Sequence, residues 1–154
     1  MLLHELLTES SNLHGLTPKE DEYFTKVVTF LRKTLKIPQS VKIDVAFKPN
    51  IKLDNKQTGL TIPNPKNKNH IFVFIAPGLS NGERVMTVAH EFLHVEHLVS
   101  GRMTIDVTDG KYLVTWEGEQ VEMKYSNSNP WEIDAHSKDR ALGRQVISAI
   151  GNIS

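Results

Sequence analysis

Apolar residues recur along this chain with two different periods, and the switches between them mark out its elements. Tyr23, Phe24, Val27, Val28, Leu31 and Leu35 fall at helical spacing behind Thr17-Pro18-Lys19-Glu20. That tetrapeptide offers an N-cap hydroxyl, a proline at the first helical position and a glutamate placed to close a capping box. The pattern predicts a helix from Pro18 to Lys36 that stops before Pro38. Val41, Ile43, Val45 and Phe47 alternate with Lys42, Asp44, Ala46 and Lys48, the two-residue period of a strand with one buried face. Pro49 to Asn69 is rich in Asn, Lys and Pro, and within it Gly59-Leu60-Thr61-Ile62 reads as a weak strand among exposed loops. Ile71 to Ala76 is continuously apolar and β-prone, which predicts a central strand covered on both faces.

Ser80-Asn81-Gly82-Glu83 is a second capping box, and the helix it opens continues through Val99 to a C-cap at Ser100-Gly101. This second helix is apolar around most of its surface, so it should be buried. Ile105 to Val107 and Tyr112 to Trp116 flank Asp109-Gly110, a hairpin signal. Asn129-Pro130 opens a third helix that runs to Ile150 before Gly151. Neither an internal repeat nor a linker interrupts the order, which reads as an α+β fold in one domain spanning residues 1–154, with residues 1–16 at its periphery.

Composition narrows the chemistry. The chain has 154 residues, 39% hydrophobic and 23% charged, which is ordinary for one globular domain. It has no cysteine, so a metal would have to be held by His, Asp or Glu. The N-terminus lacks a basic segment followed by an apolar one, and no apolar run is long enough to span a bilayer; a cytoplasmic protein with no membrane partner is expected. Eighteen basic residues balance eighteen acidic ones, which argues against a dedicated nucleic-acid partner. Lys48, Lys52, Lys56, Lys66 and Lys68 make one stretch locally basic, as a solvated loop or strand edge would be.

Within the second helix lies Val88-Ala89-His90-Glu91-Phe92-Leu93-His94, which contains His-Glu-x-x-His. Residues four apart on a helix sit one turn above each other on one face, so both imidazoles can reach a single zinc ion. Glu91 is rotated by about 100° from His90, yet its methylenes let the carboxylate reach a water beside the ion without becoming a ligand. With seven His and eleven Glu in the chain, chance would produce this pattern somewhere in roughly 2% of such sequences. A buried helix argues further against coincidence, because two histidines and a carboxylate buried without partners would cost several kcal/mol. His4-Glu5 is a control: Thr8 occupies the place of the second histidine, so that segment is expected to be structural.

A catalytic zinc keeps one position for water and takes three protein ligands, so another donor is needed. Glu132, in the first turn of the third helix, is the first candidate, although it also stands at the capping-box position relative to Asn129. Asp134 and His97 are the alternatives. His97 shares a helical face with His90 and His94, but three ligands on one straight helix would spread over more than a turn.

The pairing of His90-Glu91-Phe92-Leu93-His94 with Glu132-Ile133-Asp134-Ala135 resembles zincin-like metallopeptidases of the gluzincin type. Val88 to Val95, Gly101, Trp116-Glu117-Gly118, Tyr125 and Pro130-Trp131-Glu132 are also similar to small metallopeptidase-like proteins of bacteriophages, described as SprT-like or of unknown function. The likeness covers roughly the C-terminal half. It implies a minimal zincin-like fold, with a small mixed sheet packed on the His-Glu-x-x-His helix and two other helices, and it implies Glu132 as third ligand. Several gluzincins carry Asp immediately after the small residue of the second motif where this chain has His136, so Asp134 and His136 both stand as candidates for the partner behind a zinc histidine.

These readings together anticipate a zinc-dependent hydrolase acting on a peptide or protein substrate. Glu91 would take a proton from the zinc-activated water and return it to the leaving amine, while Tyr125 or His136 donates to the developing oxyanion. An extended substrate would lie along an exposed strand edge, with Gln57 to Asn69 and the Ile71 strand as candidates. Two alternatives compete: a catalytically inactive module that keeps the fold for binding or structural purposes, and a DNA-associated protease of the SprT-like kind whose lysine-rich loop docks phosphates.

Overall fold

Residues 11–48, 53, 57–122 and 128–153 are described in a computed structural model of the chain. The capping residues open the helices where the sequence places them. Thr17 starts α1 (Pro18–Thr34) and Ser80 starts α2 (Asn81–Ser100), each with a reciprocal capping box to the glutamate three residues on. Gly101 ends α2 in the left-handed conformation, φ 82°, which a glycine adopts without steric cost. The third helix, α3 (Pro130–Ile150), begins behind Asn129.

Four strands form one sheet: β1 (Ser11–His14), β2 (Lys42–Phe47), β3 (Gly59–Asn64) and β4 (Asn67–Ile75), in the order β1-β2-β4-β3. The β1–β2 and β2–β4 pairs are parallel, whereas β3 runs antiparallel to β4. A parallel pair needs a crossover, and α1 supplies it between β1 and β2. Pro63 cannot donate to a ladder, which suits β3 to its place at the sheet edge. The weak strand expected at Gly59-Leu60-Thr61-Ile62 is β3, which pairs with the strand expected from Ile71 as a hairpin, and β4 starts four residues earlier than expected, at Asn67; β1 has no counterpart in the sequence reading.

Ile43, Val45 and Phe47 of β2 and Ile71, Val73 and Ile75 of β4 point to one face of the sheet. They join Phe24, Val27 and Leu31 of α1, Val88, Phe92 and Val95 of α2 and Ala135 and Val146 of α3 in the main core. The expectation that the Ile71 strand is covered on both faces needs correction. Phe72 and Phe74 are only half-buried on the opposite face, where their rings stack 6.3 Å apart. Apolar residues on both faces therefore mark a strand whose second face is partly shielded by its own aromatic pair.

A second, antiparallel sheet follows α2: β5 (Met103–Thr108), β6 (Lys111–Trp116) and β7 (Glu119–Val121). Asp109 and Gly110 both have positive φ, the geometry that makes Asp-Gly a two-residue hairpin turn. Met103 and Val114 close with Trp131 of α3 into a smaller core at the C-terminal end of α2. The molecule is thus mixed α+β, with three helices and two sheets among the described residues. None of those helices is long and apolar enough to cross a membrane.

Candidate metal centre

His90 and His94 lie one turn apart on α2 and turn their Nε2 atoms toward each other at 3.2 Å. Packing of α3 against α2 brings Glu132 to the same point, with Oε1 2.5 Å from His94 Nε2 and Oε2 3.5 Å from His90 Nε2. The capping role weighed for Glu132 is not taken up: Asn129 makes no side-chain cap bond, and the Glu132 carboxylate faces the two rings. Asp134 and His97, the other candidates for a third ligand, meet each other instead, through Asp134 Oδ2 and His97 Nε2 at 2.7 Å.

Tetrahedral coordination at zinc–ligand distances of about 2.0–2.1 Å separates neighbouring donor atoms by roughly 3.3 Å. Two of the three separations among His90, His94 and Glu132, 3.2 and 3.5 Å, match that edge, while the third, at 2.5 Å, is a direct hydrogen-bond contact. The residues present therefore fit a zinc ion in number, type and approach. Ligand atoms of His90, Glu91 and His94 also lie within 4.8 Å of one another, which puts Glu91 beside the centre.

Glu91 is almost wholly buried, and its surroundings come from the edge strand. Thr61 of β3 donates its hydroxyl proton to Glu91 Oε1 at 2.7 Å. Gly59, two residues earlier on the same strand, lies so close that a β-carbon there would be 2.8 Å from Glu91 Oε2. Burial pushes the Glu91 carboxyl up, against the charges of His94 and His90 and the Thr61 hydrogen bond, which pull it down. Burial also opposes the charged form of His90, but Glu132, Glu91 and Asp139 outweigh it and hold the ring up at about 9. Glu132, despite its burial, is held well below the usual carboxylate range by the two imidazoles. Three acidic side chains around two histidines thus make a pocket that favours positive charge.

Asp139 was missed by the sequence reading. One turn beyond His136 on α3, its Oδ2 lies 3.0 Å from His90 Nδ1 and 3.2 Å from His136 Nδ1. The signal was present only as the seven-residue spacing from Glu132, two helical turns on the same face. Thr61 and Gly59 carried no sequence signal, because nothing local says which strand packs over Glu91. His136 packs its ring at a tilt against His90, 4.6 Å between ring centroids, with Nε2 3.7 Å from Glu132 Oε2, and remains about half exposed. Tyr125, the other candidate oxyanion donor, lies outside the described residues, as do Lys52 and Lys56. Lys48, Lys66 and Lys68 are solvent-exposed.

No protein-family model matches the chain, and comparison with curated proteins and with solved structures yields no match either. The fold and the site accordingly define a mixed α+β protein with a buried His/Glu cluster between two helices and an edge strand.

Proposed function

We propose that the protein is a zinc-dependent hydrolase, a metallopeptidase with a minimal zincin-like fold. The observation that carries the reading is the convergence of His90 Nε2, His94 Nε2 and the Glu132 carboxylate at 2.5–3.5 Å from one another, with Glu91 beside them but bonded elsewhere. A bound zinc ion would supply Lewis acidity, acidifying a water and polarising a carbonyl.

The chain's own residues account for the rest. His90, His94 and Glu132 would hold the ion. Glu91, raised by burial and steadied by Thr61, is the base that takes the proton from the attacking water and returns it to the leaving amine. His136, half-exposed and next to Glu132, could donate to the carbonyl oxygen of a bound substrate. A peptide substrate could pair with β3, an edge strand of the sheet among the described residues, whereas β4 is flanked by β2 and β3. Main-chain pairing there would carry a scissile bond past Gly59 and Thr61 and thus past Glu91.

Zinc analysis of the purified chain with a peptide-cleavage assay tests the proposal. One zinc per chain is expected, lost on His94→Ala and weakened on Glu132→Ala. Glu91→Gln should keep the metal and the fold while cleavage falls about 10²- to 10⁴-fold. Full cleavage by that variant removes the enzymatic reading, and a parent chain that holds no zinc removes the metal as well.

A further inference from the structure

The two rings of the proposed metal pair are held from behind by different means. His90 Nδ1 meets Asp139 directly. An ionised carboxylate only accepts, so His90 carries a proton on Nδ1, which leaves Nε2 as the nitrogen that zinc would bind. His94 has no carboxylate behind it. Its Nδ1 lies 3.3 Å from Nδ1 of His97, and His97 Nε2 lies 2.7 Å from Asp134 Oδ2.

The protons along this chain of three residues can be assigned from its far end. Asp134 has Arg102 Nη1 at 3.3 Å and Lys138 Nζ at 3.1 Å, two cations that keep it ionised and therefore an acceptor. His97 must then donate from Nε2. A neutral imidazole with its proton on Nε2 has a lone pair on Nδ1, and that lone pair faces His94 Nδ1. His94 in turn donates from Nδ1 to that lone pair, and the proton its Nε2 gives to Glu132 at 2.5 Å is the one that zinc would replace. With His97 bare at Nδ1, a His94 without a proton on Nδ1 would set two lone pairs against each other across 3.3 Å, and a proton on both Nδ1 atoms would set two N–H groups there.

We infer that His97 and Asp134 are positioning residues that set the tautomer of His94, and that the second sheet holds this relay in place. His97 is completely buried. Trp116 of β6 meets its ring edge-on at 4.9 Å, and Arg102, just before β5, lies over the Trp116 ring at 4.8 Å while it pairs with Asp134. Glu117, in the turn after β6, holds the other arm of Arg102 at 3.0 Å. The three-stranded sheet and its flanking residues thus clamp both ends of the His97–Asp134 pair. Replacing a partner that orients a metal ligand typically costs 10- to 100-fold in metal affinity.

The inference rests on the metal reading above, and one set of zinc titrations against a chelating dye separates the two. The parent full-length chain is expected to bind one zinc. His97→Phe, which fills the buried space but accepts no proton, should bind about 10- to 100-fold more weakly. His97→Gln, whose carbonyl can accept from His94 while its amide donates to Asp134, should stay within about threefold of the parent. Asp134→Asn can donate to His97 and favour the wrong tautomer, so it should weaken binding as the Phe variant does. A mere packing role predicts the reverse order, with Phe tolerated and Gln not, and that order overturns the inference. Nitrogen-15 NMR of the zinc-loaded parent supplies a readout free of any substitution: His97 should be protonated at Nε2 and bare at Nδ1, and a proton on Nδ1 overturns it too. Absence of zinc from the parent sinks the metal reading itself, whereas tight binding unchanged in all three variants sinks only the relay.

Discussion

At Gly59 a β-carbon would stand 2.8 Å from Cγ and Oε2 of Glu91 and 2.9 Å from the Thr87 methyl. The backbone there does not demand glycine; the space does, because β3 crosses directly over the proposed base. Gly59→Ala should therefore displace the Glu91 carboxylate more than it unfolds the protein. We expect retained zinc and a fall in peptide cleavage of about 10- to 100-fold, the scale set by a misplaced reacting group. Thr61→Val removes the hydroxyl that donates to buried Glu91 Oε1 without changing side-chain shape. Leaving that oxygen without its donor should cost about 1–3 kcal/mol, read as a lower urea midpoint.

Among the elements, α1 and α2 are tied together at their N-termini. Glu20 closes the capping box of α1 and also reaches buried Arg84 in the first turn of α2, with Arg84 Nη1 2.5 Å from Glu20 Oε2. Its carboxyl is held down at about 2, first by the Thr17 backbone N–H and then by Arg84. Because the folded value lies below the ordinary 4.5, the ionised form stabilises the fold fully above that ordinary value, and the contribution is lost as pH falls toward 2. Glu20→Gln keeps the capping geometry but removes the charge. It should destabilise the protein by about 1–2 kcal/mol at pH 7. Chemical denaturation at a series of pH values should show that gap shrinking below about pH 4.5 and vanishing near 2; a gap independent of pH would assign the effect to packing.

Across the whole molecule, the proposed metal ligands belong to two helices whose separation is set by a contact outside the site. Gly143 of α3 packs against Met86 of α2 so closely that a β-carbon would fall 2.2 Å from the Met86 sulfur. Met86 lies one turn before His90, and Glu132 sits three turns before Gly143 on the same rod, so the two positions set the spacing of the helix pair. Gly143→Leu should overpack the contact, cost about 1–3 kcal/mol in thermal or chemical unfolding, and lower zinc affinity by moving Glu132 away from the imidazoles. Stability lost with zinc affinity intact would show that the two ends of the helix pair are mechanically independent. The smaller core of Met103, Val114 and Trp131 plays the corresponding part at the other end, where it seats the second sheet against α2 and α3.

What could be read from residue order alone is what backbone geometry makes local. Capping boxes at Thr17 and Ser80, the Asp109-Gly110 turn and the four-residue spacing of His90 and His94 each involve neighbours within a turn or a hairpin. Their structural consequence follows from φ, ψ and helical pitch. The turn at Glu117-Gly118 went unread because it also needs positive φ at a glutamate, which seldom adopts it, and β1 was too short to show a period. Glu132 was legible as a candidate from its motif, but its choice between cap and metal depended on where α3 lands. Asp139 behind His90, Thr61 and Gly59 over Glu91, and Asp134 behind His97 lie 30 or more residues from the groups they hold. Only packing brings them together: side-chain volumes at the core decide which helix meets which, and no periodicity along the chain encodes that distance.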